Sequence, residues 1–372
     1  MSQSAQQPGS DDDASPVARP KVLSPSEGLP EVKRPDTSFL MQLFVYPLAI
    51  VCGIALVVVL VNWVSTSGGN PYDYVDALEG NNRGRWPAAH NLAMELAISD
   101  STIKSDSKLA ARLAMILDRE LDQTYEKDYA KVESIKLRLY LSLALGEFHV
   151  DDGLPALLRA ATEQRADDEV AARCTAIGAI AHLAANLRDS DPIESPEVID
   201  ALLEASGEDE DTAVLRTAAV ALGAVGGPRA IERLKELIAY TYHPSVRYMA
   251  ATGLARLGDD AATGVLLEML DLDNEAVTQI DVVNEKGEKL KLDDINKERL
   301  KQLQDGARTV AMMNALHAAG QLVQKNATVD RARFIEAIET ITAADLRQRL
   351  PRDKADAIHD KAAVVLARLK QD

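Results

Sequence analysis

The chain repeats itself. Val214-Leu-Arg-Thr-Ala-Ala-Val-Ala-Leu-Gly-Ala-Val-Gly226 returns 32 residues later as Val246-Arg-Tyr-Met-Ala-Ala-Thr-Gly-Leu-Ala-Arg-Leu-Gly258, with Ala218/Ala250, Ala219/Ala251, Leu222/Leu254 and Gly226/Gly258 in register. Ala144-Leu-Gly146 and Ala176-Ile-Gly178 stand the same distance apart, and Ala362 to Leu369 repeats Ala250 to Leu257. A period of this length describes one helical hairpin per repeat, a unit that buries its apolar face only by stacking on its neighbours. Alanines at adjacent and i+3 positions let two helices lie close together, and the following Leu fills the groove between layers. The closing Gly ends the helix by entering a left-handed conformation.

Helical periodicity recurs through most of residues 86–370, in segments divided by short runs rich in Asp, Gly, Pro and Ser. Aromatic residues make up only 4% of the chain, and alanine and leucine carry the apolar weight. That combination favours an all-α fold over sheets built from Val, Ile and Tyr. One segment departs from the rhythm: 278–292 alternates apolar and polar residues around Glu285-Lys-Gly-Glu288, which predicts a small β-hairpin insertion.

At Val246–Gly258 the sequence resembles the HEAT-repeat family in its short bacterial, lyase-like form, with fainter likeness at 214–226 and 357–369. The resemblance implies an α-solenoid over 71–372 whose second helices line a concave, protein-binding face. It also implies a ladder of inter-repeat hydrogen bonds from an Arg after the motif's Val. That role carries over to Arg247 and, one position late, to Arg216, whereas Arg173 lies out of register, three residues after Val170.

A second constraint comes from Phe39 to Val64, where no residue is charged. A helix needs about 20 apolar residues to cross a bilayer, so 39–64 is predicted to be a single transmembrane helix, with 40–64 as the membrane contact. Tyr46 and Trp63 sit where headgroups would be, and Pro47 falls in the first turn. Small residues follow in Ser65-Thr-Ser-Gly-Gly69 and raise the alternative of a cleaved signal peptide. The long polar stretch ahead and the length of the apolar run favour retention. Lys33 and Arg34 precede the span and 65–82 holds no Lys or Arg, so the positive-inside rule puts the N-terminus in the cytoplasm and the large domain outside it. In a bacterium this is an inner-membrane protein with a periplasmic domain. Residues 1–38, with six prolines, are expected to be a disordered polar tail, and 65–70 a linker.

The formal charge is −17; the tail's four cations and six acids account for −2, leaving −15 on the rest of the chain. So acidic a domain repels nucleic acid and anionic lipid, and no nucleic-acid partner is expected. Cys52 and Cys174 admit neither a disulfide framework nor a thiolate metal site. Six histidines (His90, His149, His182, His243, His317 and His359) show no metal-ligand spacing. Acid clusters at Asp151-Asp152, Asp167-Asp168, Glu208 to Asp211 and Asp259-Asp260 precede predicted helices, where capping explains them. No phosphate-binding or nucleophile-elbow motif is present, so neither a cofactor nor catalysis is expected.

Candidate partner contacts are the aromatic loop Tyr240, Tyr242 and His243, together with Trp86 and the predicted hairpin, since Tyr and Trp are enriched at interface hot spots. The competing reading has these rings packing against the neighbouring repeat. The sequence thus points to a membrane-tethered, non-catalytic interaction scaffold with unidentified protein partners. An enzyme accessory of the lyase-like kind and a self-associating envelope component are the alternatives.

Overall fold

A computed structural model describes residues 71–80, 84–98, 101–163, 169–190, 192–208, 210–241, 243–279 and 295–371. The predicted tail, membrane span and linker lie outside the described residues. Those described belong to one unit, Gly68–Asp372.

Helices come in pairs. The first layer is α1 (Pro71–Glu79) with α2 (Arg85–Ile98); a single turn, α3 (Ser101–Lys104), leads to α4 (Ser107–Leu121) and α5 (Asp128–Gly146). Three layers follow: α6 (Leu154–Thr162) with α7 (Val170–Leu187), α8 (Pro196–Glu204) with α9 (Thr212–Val225), and α10 (Pro228–Tyr240) with α11 (Pro244–Leu257). The last two are α12 (Thr263–Leu270) with α13 (Lys297–Lys325), and α14 (Arg331–Ala343) with α15 (Arg352–Gln371). The second helices form an unbroken row, α2, α5, α7, α9, α11, α13 and α15, each packed on the next. The first helices form a parallel row with contacts from α1 to α10 and again from α12 to α14. Among the described residues the unit is all-helical, as the repeat predicts.

Local chemistry explains the punctuation. Prolines open α6, α8, α10 and α11, where the first turn needs no N–H donor. Side chains of Asp106, Asp211, Asn296 and Asp330 accept backbone N–H groups at the starts of α4, α9, α13 and α14. Gly258 ends α11 in the left-handed region (φ 83°), and its neighbour Asp259 donates N–H back to Leu254 O at 2.9 Å.

The repeat motif is the tightest part of the core. Ala218, Ala219, Ala250 and Ala251 are fully buried. Between α9 and α11 the backbones meet: a Cβ placed on Gly223 would lie 2.4 Å from Gly253 Cα. The α5/α7 joint is also close, since a Cβ on Gly146 would stand 3.0 Å from Ala179 Cα.

Helix α7 is long and apolar enough to cross a membrane by length and composition, the one such helix among the described residues. Half of it is buried in the unit, and it packs on α5, α6 and α9. Being surrounded on three sides accounts for its lack of a wide polar face.

The predicted hairpin needs correction. Thr278, its expected first residue, ends a 3-10 turn at Glu275–Thr278, because Asn274 caps that turn by accepting Ala276 N–H at 2.9 Å. Residues 280–294 lie outside the described residues, and no strand occurs among those described.

Candidate functional site

The predicted contact residues do not form one patch. Trp86 lies at the start of α2 in the first layer, stacked on Tyr140 (6.2 Å between centroids) with Lys136 Nζ 4.8 Å above its ring. It is partly buried against the core, so packing accounts for it. Tyr240 ends α10 in the fifth layer and is 78% exposed. His243 is exposed at the start of α11, and Tyr242 falls outside the described residues.

Concavities open instead between second helices. One of about 680 Å³ lies between α9, α11 and α13; His243, Met249, Val277, Val310 and Arg216 are on its walls. A second, of about 470 Å³, lies between α5 and α7, bounded by Leu143, Cys174, Gly178 and His182. Burial raises the Cys174 thiol above its ordinary pKa, which disfavours the nucleophilic thiolate. Exposed apolar side chains share the same row. Met94, Ile98, Tyr129, Val132, Leu143, Leu303, Val310 and Val364, eight of the eleven exposed large hydrophobics among the described residues, stand on second helices.

Arginines bridge neighbouring layers at several joints. Arg247 Nε donates to Ile238 O on α10 (3.3 Å), and its guanidinium reaches Glu268 on α12 at 2.9 and 3.3 Å. Arg216, the other predicted rung, is exposed on the cavity wall with no hydrogen-bond partner among the described residues. One layer earlier, Arg173 donates to Ala161 O on α6 (2.7 Å) and grips Glu210 at 2.7 and 2.8 Å. Arg138 on α5 likewise reaches Glu169, just ahead of α7, at 2.8 Å. The signal for these rungs is an acid immediately before the next second helix, which a Val-Arg motif does not contain.

At the C-terminal ends of the second helices, side chains bind neighbouring carbonyls. Asn186 donates to Gly146 O and Phe148 O, Arg188 to Ala224 O, and Asn326 to Gly258 O. Asn326 Nδ2, the atom a glycan would occupy in Asn326-Ala-Thr328, is thereby engaged.

Of the acid clusters, Asp211 and Asp259 cap by accepting N–H from Ala213 and Ala261. Asp151 and Asp152 are not side-chain caps: Gly153 holds that position at α6, without a side-chain bond. Asp167 and Asp168 lie outside the described residues. No group of three or more His, Cys, Asp or Glu able to hold a metal occurs among the described residues.

A buried acid sits between the first two layers. Glu120, 2% exposed, accepts from Arg85 NH1 (2.9 Å) and from Tyr125 OH (2.7 Å). Burial, and then the Glu120 hydrogen bond and charge, push the Tyr125 phenol up to about 12 from its ordinary 10.0. A raised folded-state pKa means that the contribution is complete below pH 10 and is lost as pH climbs towards about 12. Spectrophotometric titration should therefore show a late tyrosinate step that Tyr125→Phe removes, and the variant should lose less stability than the native chain across that alkaline window.

These layers have known relatives. Residues 164–243 match the family model of HEAT repeats. The HEAT match covers α7 to α10, and residues 246–271, covering most of α11 and all of α12, match the PBS lyase HEAT-like repeat. No curated protein matches the chain. An engineered protein whose crystal structure comes from the Northeast Structural Genomics Consortium aligns with 81% of this chain and 96% of its own, at 13% identity and a TM-score of 0.31. The matched residues include the Gly223–Gly253 joint and two walls of the larger cavity.

Proposed function

We propose that this chain is a membrane-tethered, non-catalytic scaffold that holds a protein partner on its row of second helices, with 39–64 as the anchor and the HEAT-like domain on the periplasmic side. The observation that carries this reading is the concentration of exposed apolar side chains on one of the two helix rows, where two described concavities also open. Contiguous exposed apolar surface marks interaction sites. Repeat solenoids present such surfaces over several layers.

The test joins fractionation to capture. The full chain is expected to stay with membranes through alkaline carbonate washing, and protease added to intact cells with a permeabilised outer membrane is expected to digest the large domain. Cross-linking from residues introduced at Val132, Leu143 and Val310 is expected to trap the same protein, while cross-linkers on first helices do not. Equal trapping from both rows would sink the reading.

A further inference from the structure

The larger cavity has an electrostatic character that its surroundings lack. The domain around it is strongly acidic, yet among the described residues that line it there is no Asp or Glu, and the charged one is Arg216. Most arginines near the joints are occupied: Arg138 and Arg173 by carboxylates, Arg188 and Arg308 by carbonyls. Arg216 is exposed and has no ion pair or hydrogen bond among the described residues. A guanidinium free at the edge of an apolar hollow is matched by a carboxylate, which it engages through two parallel N–H donors.

The rest of the lining specifies what accompanies that carboxylate. Met249, Val277 and Val310 offer aliphatic surface, with Val310 58% exposed. Ser245, Gln279 and Asn314 add a hydroxyl and two amides that have no hydrogen-bond partner among the described residues. A side-chain amide both donates and accepts, as a peptide unit does. Beyond its carboxylate head a fatty acid has no groups to use such amides, whereas an extended peptide does. The volume of about 680 Å³ suits a short segment better than a single side chain.

We propose that the hollow between α9, α11 and α13 binds a peptide segment of the protein partner in which an aliphatic residue adjoins an Asp or Glu, the carboxylate pairing with Arg216 and the aliphatic chain resting on Met249 and Val310. This rests on the scaffold reading and names the partner chemistry for one of its hollows.

The probe is a library of phage-displayed random dodecapeptides selected on the full chain in detergent. Recovered peptides are expected to carry an aliphatic residue beside an acid. A fluorescent copy of the best one should bind about tenfold or more weakly to Arg216→Glu and to Val310→Asp, two exposed sites whose substitution leaves helical circular dichroism unchanged. Replacing the peptide's acid with its amide should weaken binding to the native chain yet restore part of the binding lost in Arg216→Glu, where it removes a like-charge repulsion. Recovery of basic peptides, or undiminished binding to both variants, overturns the proposal. So does competition by dodecanoate at peptide-like concentration, or binding seen only after 280–294 is replaced by a Gly-Ser linker, since the occupant is then a lipid or the chain itself. Any of these results with positive cross-linking from the second-helix row leaves the scaffold standing while this proposal fails; loss of that cross-linking removes both.

Discussion

Gly223→Ala is expected to destabilise the domain by about 2–3 kcal/mol, near the upper end for adding one methyl group to a packed core. Alanine is intrinsically better than glycine inside a helix by about 1 kcal/mol, so the local effect has the opposite sign. Geometry decides the outcome. The new Cβ would lie 2.4 Å from Gly253 Cα and 3.3 Å from its carbonyl carbon, which are backbone atoms with no rotamer in which to retreat. Helices α9 and α11 must separate, and contacts among Ala219, Leu222 and Leu254 loosen with them. Gly178→Ala is the matched control: its Cβ would meet only Thr217 Cγ2, at 3.8 Å, so helix propensity should prevail and stability should rise slightly. Urea denaturation of both variants checks the pair; similar midpoints would show that the Gly223–Gly253 approach has little energetic weight.

The second large effect is expected at Arg173→Met, with a loss of about 3–5 kcal/mol. Arg173 and Glu210 are 10% and 12% exposed at their side chains, and their two hydrogen bonds are joined by a third to Ala161 O. Removing the guanidinium leaves a carboxylate with little access to water and a carbonyl without its donor. Much of the loss is the desolvation cost of a carboxylate deprived of both Arg173 hydrogen bonds, so Arg173→Met with Glu210→Leu should recover most of it. If the double variant were no more stable than the single one, the ion pair would have to be credited with attraction well beyond its desolvation. Calorimetry of the native chain and both variants distinguishes these cases.

The layers were legible in the sequence because they depend on local rules. Ala-Ala, then Leu, then Gly at fixed offsets encodes a close joint and a helix stop, and Ala218, Ala219, Leu222, Ala250, Ala251 and Leu254 are buried as that pattern requires. The rungs were less legible, because each joins residues far apart in the chain. Arg173 was out of register with the family pattern, yet its acid lies 37 positions on; Arg216 kept nearer to the pattern but faces a hollow. The aromatic loop was read as one surface, whereas His243 and Tyr240 occupy different settings and Trp86 lies four layers away, packed under Lys136. Composition marked these rings as sticky without saying which would be used up in stacking. Nor does a sequence show that α9, α11 and α13 leave space between them, since a hollow is made by residues absent from its centre.

The Gly223–Gly253 joint also bears on how the row carries load. Among the described residues each layer packs chiefly on the layers beside it, so a pull between the ends passes through every joint in series, and displacements accumulate along the row. Where backbones already touch there is no slack to take up. Strain should collect at looser joints along the row, making the central joint a fixed pivot about which the two halves of the row flex.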